Sequence, residues 1–135
     1  PGPVDTTLRT AINVNPSRIQ SITLNCTCDD PKIDKSKTPA YSYPSIPYEV
    51  HACPLFWSAP LLPTVYDETS KVGTLVHEAI HFVDQYWGGS GPGPDGTGHY
   101  TGPTYQEALS LAISNRANAA KNPNNFRFYT LNGTW

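Results

Sequence analysis

Thr74-Leu75-Val76-His77-Glu78-Ala79-Ile80-His81-Phe82-Val83-Asp84-Gln85 is the stretch from which the rest of the chain can be read. On a helix His77 and His81 lie one turn apart, so both imidazoles leave the same face and can hold one metal ion. Glu78, beside the first histidine, can reach a water on that ion without being a ligand. This His-Glu-x-x-His pattern is that of zinc hydrolases, with the histidines on Zn²⁺ and the glutamate as general base. Leu75, Val76, Ala79, Ile80, Phe82 and Val83 wrap most of the remaining surface, as a buried helix requires. The helix is predicted from about Val72 to Tyr86. The bland alternative is a chance match. With only 4 His in 135 residues, two at this spacing on an apolar helix argue against it.

A chain of 135 residues suits one domain with a real core. A net charge of -2 offers no footprint for a phosphate backbone or an anionic membrane. Charged residues make up only 15%, with 14 Pro, 10 Gly and 8 Tyr, which describes a rigid, loop-rich, soluble domain. No apolar run approaches the roughly 20 residues that span a bilayer. The chain has no Met and begins Pro-Gly-Pro, so a leader is expected to have been removed. Cys26, Cys28 and Cys53 have poor zinc-finger spacing. The sequons Asn25-Cys26-Thr27 and Asn132-Gly133-Thr134 are compatible with secretion, and the processed start with the cysteine usage favours an oxidising compartment. The odd number of cysteines leaves one thiol without a partner in the chain.

Along the chain, Thr6 to Ile12 is predicted as a short helix, and Ser21 to Cys28 alternates with period two as a strand does. Asp29 to Pro39 reads as an exposed loop. Ala40 to Pro60 is aromatic and broken by prolines. Within it Tyr48-Glu49-Val50-His51-Ala52-Cys53 is predicted as a strand, placed by its flanking prolines at a sheet edge. Such an edge can receive an extended peptide by strand addition. Trp87 to Thr104 is a glycine-rich loop able to fold over the metal. Thr104 to Lys121 reads as one helix with Leu109, Ala112, Ile113 and Ala117 on one stripe, ended by Asn122-Pro123.

A catalytic zinc site needs a third protein ligand and an open position. Downstream of His81 the candidates are Asp84, Asp95, His99 and Glu107. Asp84 more naturally faces solvent or braces a ring nitrogen, and Asp95 lies in a Pro-Asp-Gly turn. Glu107 sits in a helical segment like the glutamate helix of thermolysin-like peptidases, and His99 sits in Gly96-Thr97-Gly98-His99-Tyr100.

The chain resembles the aspzincin family of fungal secreted zinc endopeptidases, the deuterolysins and peptidyl-lysine metalloendopeptidases, over roughly Ser21 to Asn132. The matching pieces are Cys26-Thr27-Cys28, Tyr41-Ser42-Tyr43-Pro44, Cys53-Pro54-Leu55-Phe56-Trp57-Ser58-Ala59-Pro60 and the zinc motif from Gly73 to Phe82. Gly96-Thr97, Leu111-Ala112-Ile113-Ser114-Asn115 and Asn122 to Tyr129 follow in the same order. The resemblance implies an α+β zincin-like fold: a small twisted sheet on the metal helix and a C-terminal helix closing the cleft. It implies one Zn²⁺ on His77, His81 and His99, the last standing where the family has aspartate. The family's oxyanion tyrosine falls on Gly102 or near Thr101, which leaves Tyr100 and Tyr105 to take its place. Asn124 stands where lysine-cleaving members hold the acid that receives the substrate lysine, and Arg127 replaces a nearby acid. The lysine preference is therefore not expected here. The resemblance pairs Cys28 with Cys53 and puts the partner of Cys26 in an N-terminal helical segment absent from this chain. Residues 1–135 are thus expected to form a single short-form domain, monomeric unless Cys26 pairs between chains.

Three functions follow. The first is a secreted endopeptidase with Glu78 as base, acting on a peptide or protein along the Tyr48 to Cys53 edge. The second is a zincin scaffold that binds metal without peptidase activity. The third is another zinc hydrolase, such as a nuclease or amidase, and here the lack of a basic patch argues against nucleic acid.

Overall fold

The computed structural model describes residues 22–43, 45–46, 48–65, 67–82, 99–100 and 102–132. Among these residues three strands come first: β1 (Thr23–Asn25), β2 (Ala40–Ser42) and β3 (Glu49–Ala52). Five described helices follow: α1 (Pro54–Ser58), α2 (Lys71–His81), α3 (Tyr105–Ser114), α4 (Arg116–Ala119) and α5 (Pro123–Asn132). The architecture is α+β, as the sequence implied. The short helix expected over Thr6 to Ile12 and the glycine-rich loop up to residue 98 lie outside the described residues, as do Asp84 and Asp95.

The sheet order is β1-β3-β2, with β3 parallel to β1 and antiparallel to β2. The expectation of an edge position for Tyr48 to Cys53 is therefore wrong. The reason is positional: Pro44 and Pro47 precede β3 and Pro54 follows it, so every ladder N–H of the strand is intact. Val50 is fully buried, at 0% exposure, with paired strands on both sides. Period-two alternation then divides the sheet. Ala40, Ser42, Val50 and Ala52 share one face, where Ala40 and Val50 pack with Phe82 at the end of α2. Tyr41 and His51 point the other way and stack with centroids 4.8 Å apart, next to the Cys28–Cys53 disulfide. Cys26 is free and exposed.

Helix α2 starts where Ser70, itself buried, accepts from the Gly73 amide at 3.1 Å. It packs most extensively against α5. That close approach uses Gly73, since a Cβ there would stand 2.9 Å from Leu131 Cδ1 and 2.9 Å from Ser70 Oγ. It ends at His81, with Phe82 as its C-cap.

The single helix expected from Thr104 to Lys121 is two. Asn115 adopts φ -151°, ψ 85°, and its side chain accepts from the Asn118 amide at 3.1 Å, so it ends α3 and caps α4. The expected stripe also fails: Ala108 is the buried residue of α3, while Ile113 is 76% exposed. Asn122-Pro123 is a beginning rather than an end, because proline at the first helical position loses no hydrogen bond. Helix α5 carries Phe126 and Phe128 into the core.

Candidate metal centre

Helix α2 supplies two of the three imidazoles. His77 and His81, one turn apart, have ring centroids 5.1 Å apart. His99, on the segment leading to α3, brings its centroid to 4.8 Å from His77 and 5.1 Å from His81. One nitrogen from each ring falls within 4.8 Å of the others, and His99 Nε2 lies 2.8 Å from His77 Nε2. Such a convergence of nitrogens has the donor chemistry of a zinc site.

The electrostatics suit the same use. Burial pushes His77 well below the usual histidine range, helped by His81, His99 and the Arg127 cation, while a hydrogen bond with Asn124 opposes the shift. Burial, with His99 adding to it, pulls His81 down to about 3. The two rings on α2 are therefore neutral near pH 7, the form in which imidazole ligates a metal. The rings present fit a zinc ion.

Glu78 points from the same helix toward the sheet and is only 6% exposed. Burial pushes its carboxyl up to about 7, and a hydrogen bond from Ser42 acts in the opposite direction. Ser42 Oγ donates to Glu78 Oε2 at 2.6 Å. Strand alternation explains the contact, since Ser42 stands on the helix side of β2 while Tyr41 and Tyr43 point away. In the sequence Ser42 stands out only as part of the Tyr41 to Pro44 tetrapeptide, because β2 is hidden among prolines and aromatic residues.

The other expected residues are distributed as follows. Glu107 is exposed and forms a capping box with Thr104, accepting from the Thr104 amide at 3.0 Å, so it is not gathered with the histidines. Asn124 is 3% exposed; its amide donates to the Gly102 carbonyl at 3.0 Å, and it bonds His77. Arg127 is half-buried, with Nη2 3.5 Å from the Glu68 carbonyl and its guanidinium 4.8 Å from the centroid of the Phe128 ring. Its charge reaches His77. Tyr100 is half-buried next to His99, and its amide donates to Asn122 Oδ1 at 3.2 Å. The Tyr105 ring packs edge-on against Phe128, with centroids 5.5 Å apart. The fourth histidine, His51, lies on the far sheet face, 3.0 Å from Glu49 Oε1.

The aspzincin family model, described as lysine-specific metallo-endopeptidase, matches residues 4–131. A peptidyl-Lys metalloendopeptidase of Pleurotus ostreatus is 31% identical over 126 residues, covering 89% of this chain and 60% of that protein. An extracellular protease of Aeromonas hydrophila is 41% identical over 61 residues, covering 45% of this chain and 15% of the other. A solved zinc peptidase from Grifola frondosa aligns with a TM-score of 0.65 and 27% identity, over 95% of this chain and 70% of that one. The chain thus spans 60% and 15% of the lengths of these two curated relatives.

Proposed function

The chain belongs to the aspzincin metallo-endopeptidase family, and on that premise we propose that it forms one catalytic domain of a secreted, zinc-dependent endopeptidase. The observation that carries this reading is the convergence of His77, His81 and His99 on one helix face, with the buried Glu78 adjacent in the chain. The three imidazoles hold a single Zn²⁺. When bound, the ion supplies a Lewis acid that acidifies water and polarises a carbonyl. Glu78 accepts the proton of the attacking water and delivers it to the leaving amine. Ser42 holds the Glu78 carboxylate in register by its short hydrogen bond. The oxyanion donor is assigned to Tyr100, the chain neighbour of His99, rather than to Tyr105, whose ring packs on Phe128.

Because β3 is central, the peptide is assigned to the outer edge of β2, whose Ser42 already touches the base. The site does not favour lysine. The Asn124 amide is neutral and engaged inside, and Arg127 places a cation near His77. Secretion is in keeping with the disulfide, and no described helix is long and apolar enough to cross a membrane.

A Glu78→Gln variant tests the reading. It is expected to keep its zinc and lose roughly 10²–10⁴-fold of its peptide-hydrolysis rate. Wild-type activity in that variant would overturn the role of Glu78.

A further inference from the structure

Three asparagines at the start of α5, Asn122, Asn124 and Asn125, are almost wholly buried. A buried amide is costly unless its donor and acceptor are both met, so its partners report what it is for. Asn125 donates to the Ala108 carbonyl of α3 at 2.8 Å, and Asn122 donates to Asn125 Oδ1 at 2.6 Å. The remaining bonds go to the short segment that carries His99. Asn122 Oδ1 accepts from the Tyr100 amide at 3.2 Å, and Asn124 Nδ2 donates to the Gly102 carbonyl at 3.0 Å. That segment is therefore tied to α5 immediately after the third histidine, once through an N–H and once through a carbonyl.

Asn124 does a second thing, since it also bonds the His77 ring. His77 turns Nε2 toward His99, 2.8 Å away, so the assignment of its Nδ1–H to Asn124 Oδ1 is part of the inference. We infer that Asn124 is a positioning residue of the metal centre: its amide accepts from His77 and donates to Gly102, and so sets the first and third imidazoles relative to one another. Only a group with an acceptor at one end and a donor at the other can do both. An aspartate could keep the bond to His77 but would face the Gly102 carbonyl with a second acceptor. Partners of this kind fix which nitrogen of a ligating histidine is free, and removing them typically weakens metal binding by 10–100-fold.

The inference rests on the metal reading above, and the test separates the two. Zinc affinity is measured by chelator competition in the wild type, Asn124→Ala and Asn124→Asp, and the His77 Nδ1 proton is followed by ¹H–¹⁵N NMR of the zinc-loaded proteins. If the wild type binds no zinc, the metal reading fails, and this inference falls with it. If the wild type binds, Asn124→Ala is expected to bind about 10–100-fold more weakly and to lose the protected Nδ1 proton. Asn124→Asp is expected to keep that proton and still bind more weakly than wild type. Should the alanine variant not fold, the aspartate variant decides alone. Affinity within twofold of wild type, or an Nδ1 proton unaffected by alanine and lost in aspartate, would overturn the assignment while leaving the metal reading intact.

Discussion

Ser42→Ala removes one hydroxyl from the candidate centre and leaves every metal ligand in place. The hydroxyl lies 2.6 Å from Glu78 Oε2, on a carboxyl that is 6% exposed, so solvent cannot replace it without rearrangement. A hydrogen bond to a charged group contributes about 1.5–3 kcal/mol. At 1.36 kcal/mol per tenfold, the loss corresponds to roughly 10–100-fold in kcat/KM. The direction on pH follows from the donor's role. Ser42 favours the ionised carboxylate, against the burial that pushes Glu78 up to about 7. Without it, the carboxyl holds its proton to higher pH, and the acidic limb of the kcat/KM profile moves upward. The assay is hydrolysis of a fluorogenic peptide from about pH 5 to 9, with Ser42→Thr as the variant that keeps the hydroxyl. A rate within twofold of wild type and an unmoved acidic limb would refute the reasoning. A slower enzyme with an unmoved limb would reduce Ser42 to a packing residue.

Two further outcomes are expected. The Cys28–Cys53 disulfide spans 25 residues, so a double Cys→Ser variant should lose about 3.5 kcal/mol in urea unfolding, and a loss below 1 kcal/mol would contradict that. Metal-free protein should be less stable at pH 4.5 than at pH 6.5. His81, at about 3 when folded against 6.5 unfolded, and His77, also lowered, leave the unfolded chain with more protons in that window, so stability falls as pH drops. Glu78, raised from 4.5 to about 7, acts oppositely and loses stability as pH rises through the same window, offsetting one histidine but not two. Denaturation midpoints in chelator at the two pH values check this, and equal midpoints would contradict it.

How much was legible beforehand divides along physical lines. The metal helix was readable because helical periodicity and the two-histidine spacing agree over the same residues. His99 could be placed only through the family resemblance, since nothing local distinguishes it from Glu107. Those two part company only in three dimensions, where Glu107 is absorbed by the capping box with Thr104. Strand β2 and the short helix α1 were obscured by prolines that mark boundaries rather than exclude structure. Pro123 misled in the same way, since it opens α5 and does not merely end the preceding helix. The central position of β3 is a matter of long-range pairing that three- and four-residue strands do not encode locally. The resemblance sets Asn124 at a substrate position, while its burial depends on the packing of α5 against α2, which no local signal carries.

The central claim is that His77, His81 and His99 together hold one zinc ion. Zinc X-ray absorption on the loaded protein, beside His99→Ala, tests it most directly. Three imidazole nitrogens at about 2.0–2.1 Å and one oxygen ligand are expected in the wild type, with one imidazole fewer and weaker binding in the variant. Sulfur scattering near 2.3 Å, or a coordination shell unchanged by loss of His99, would contradict it.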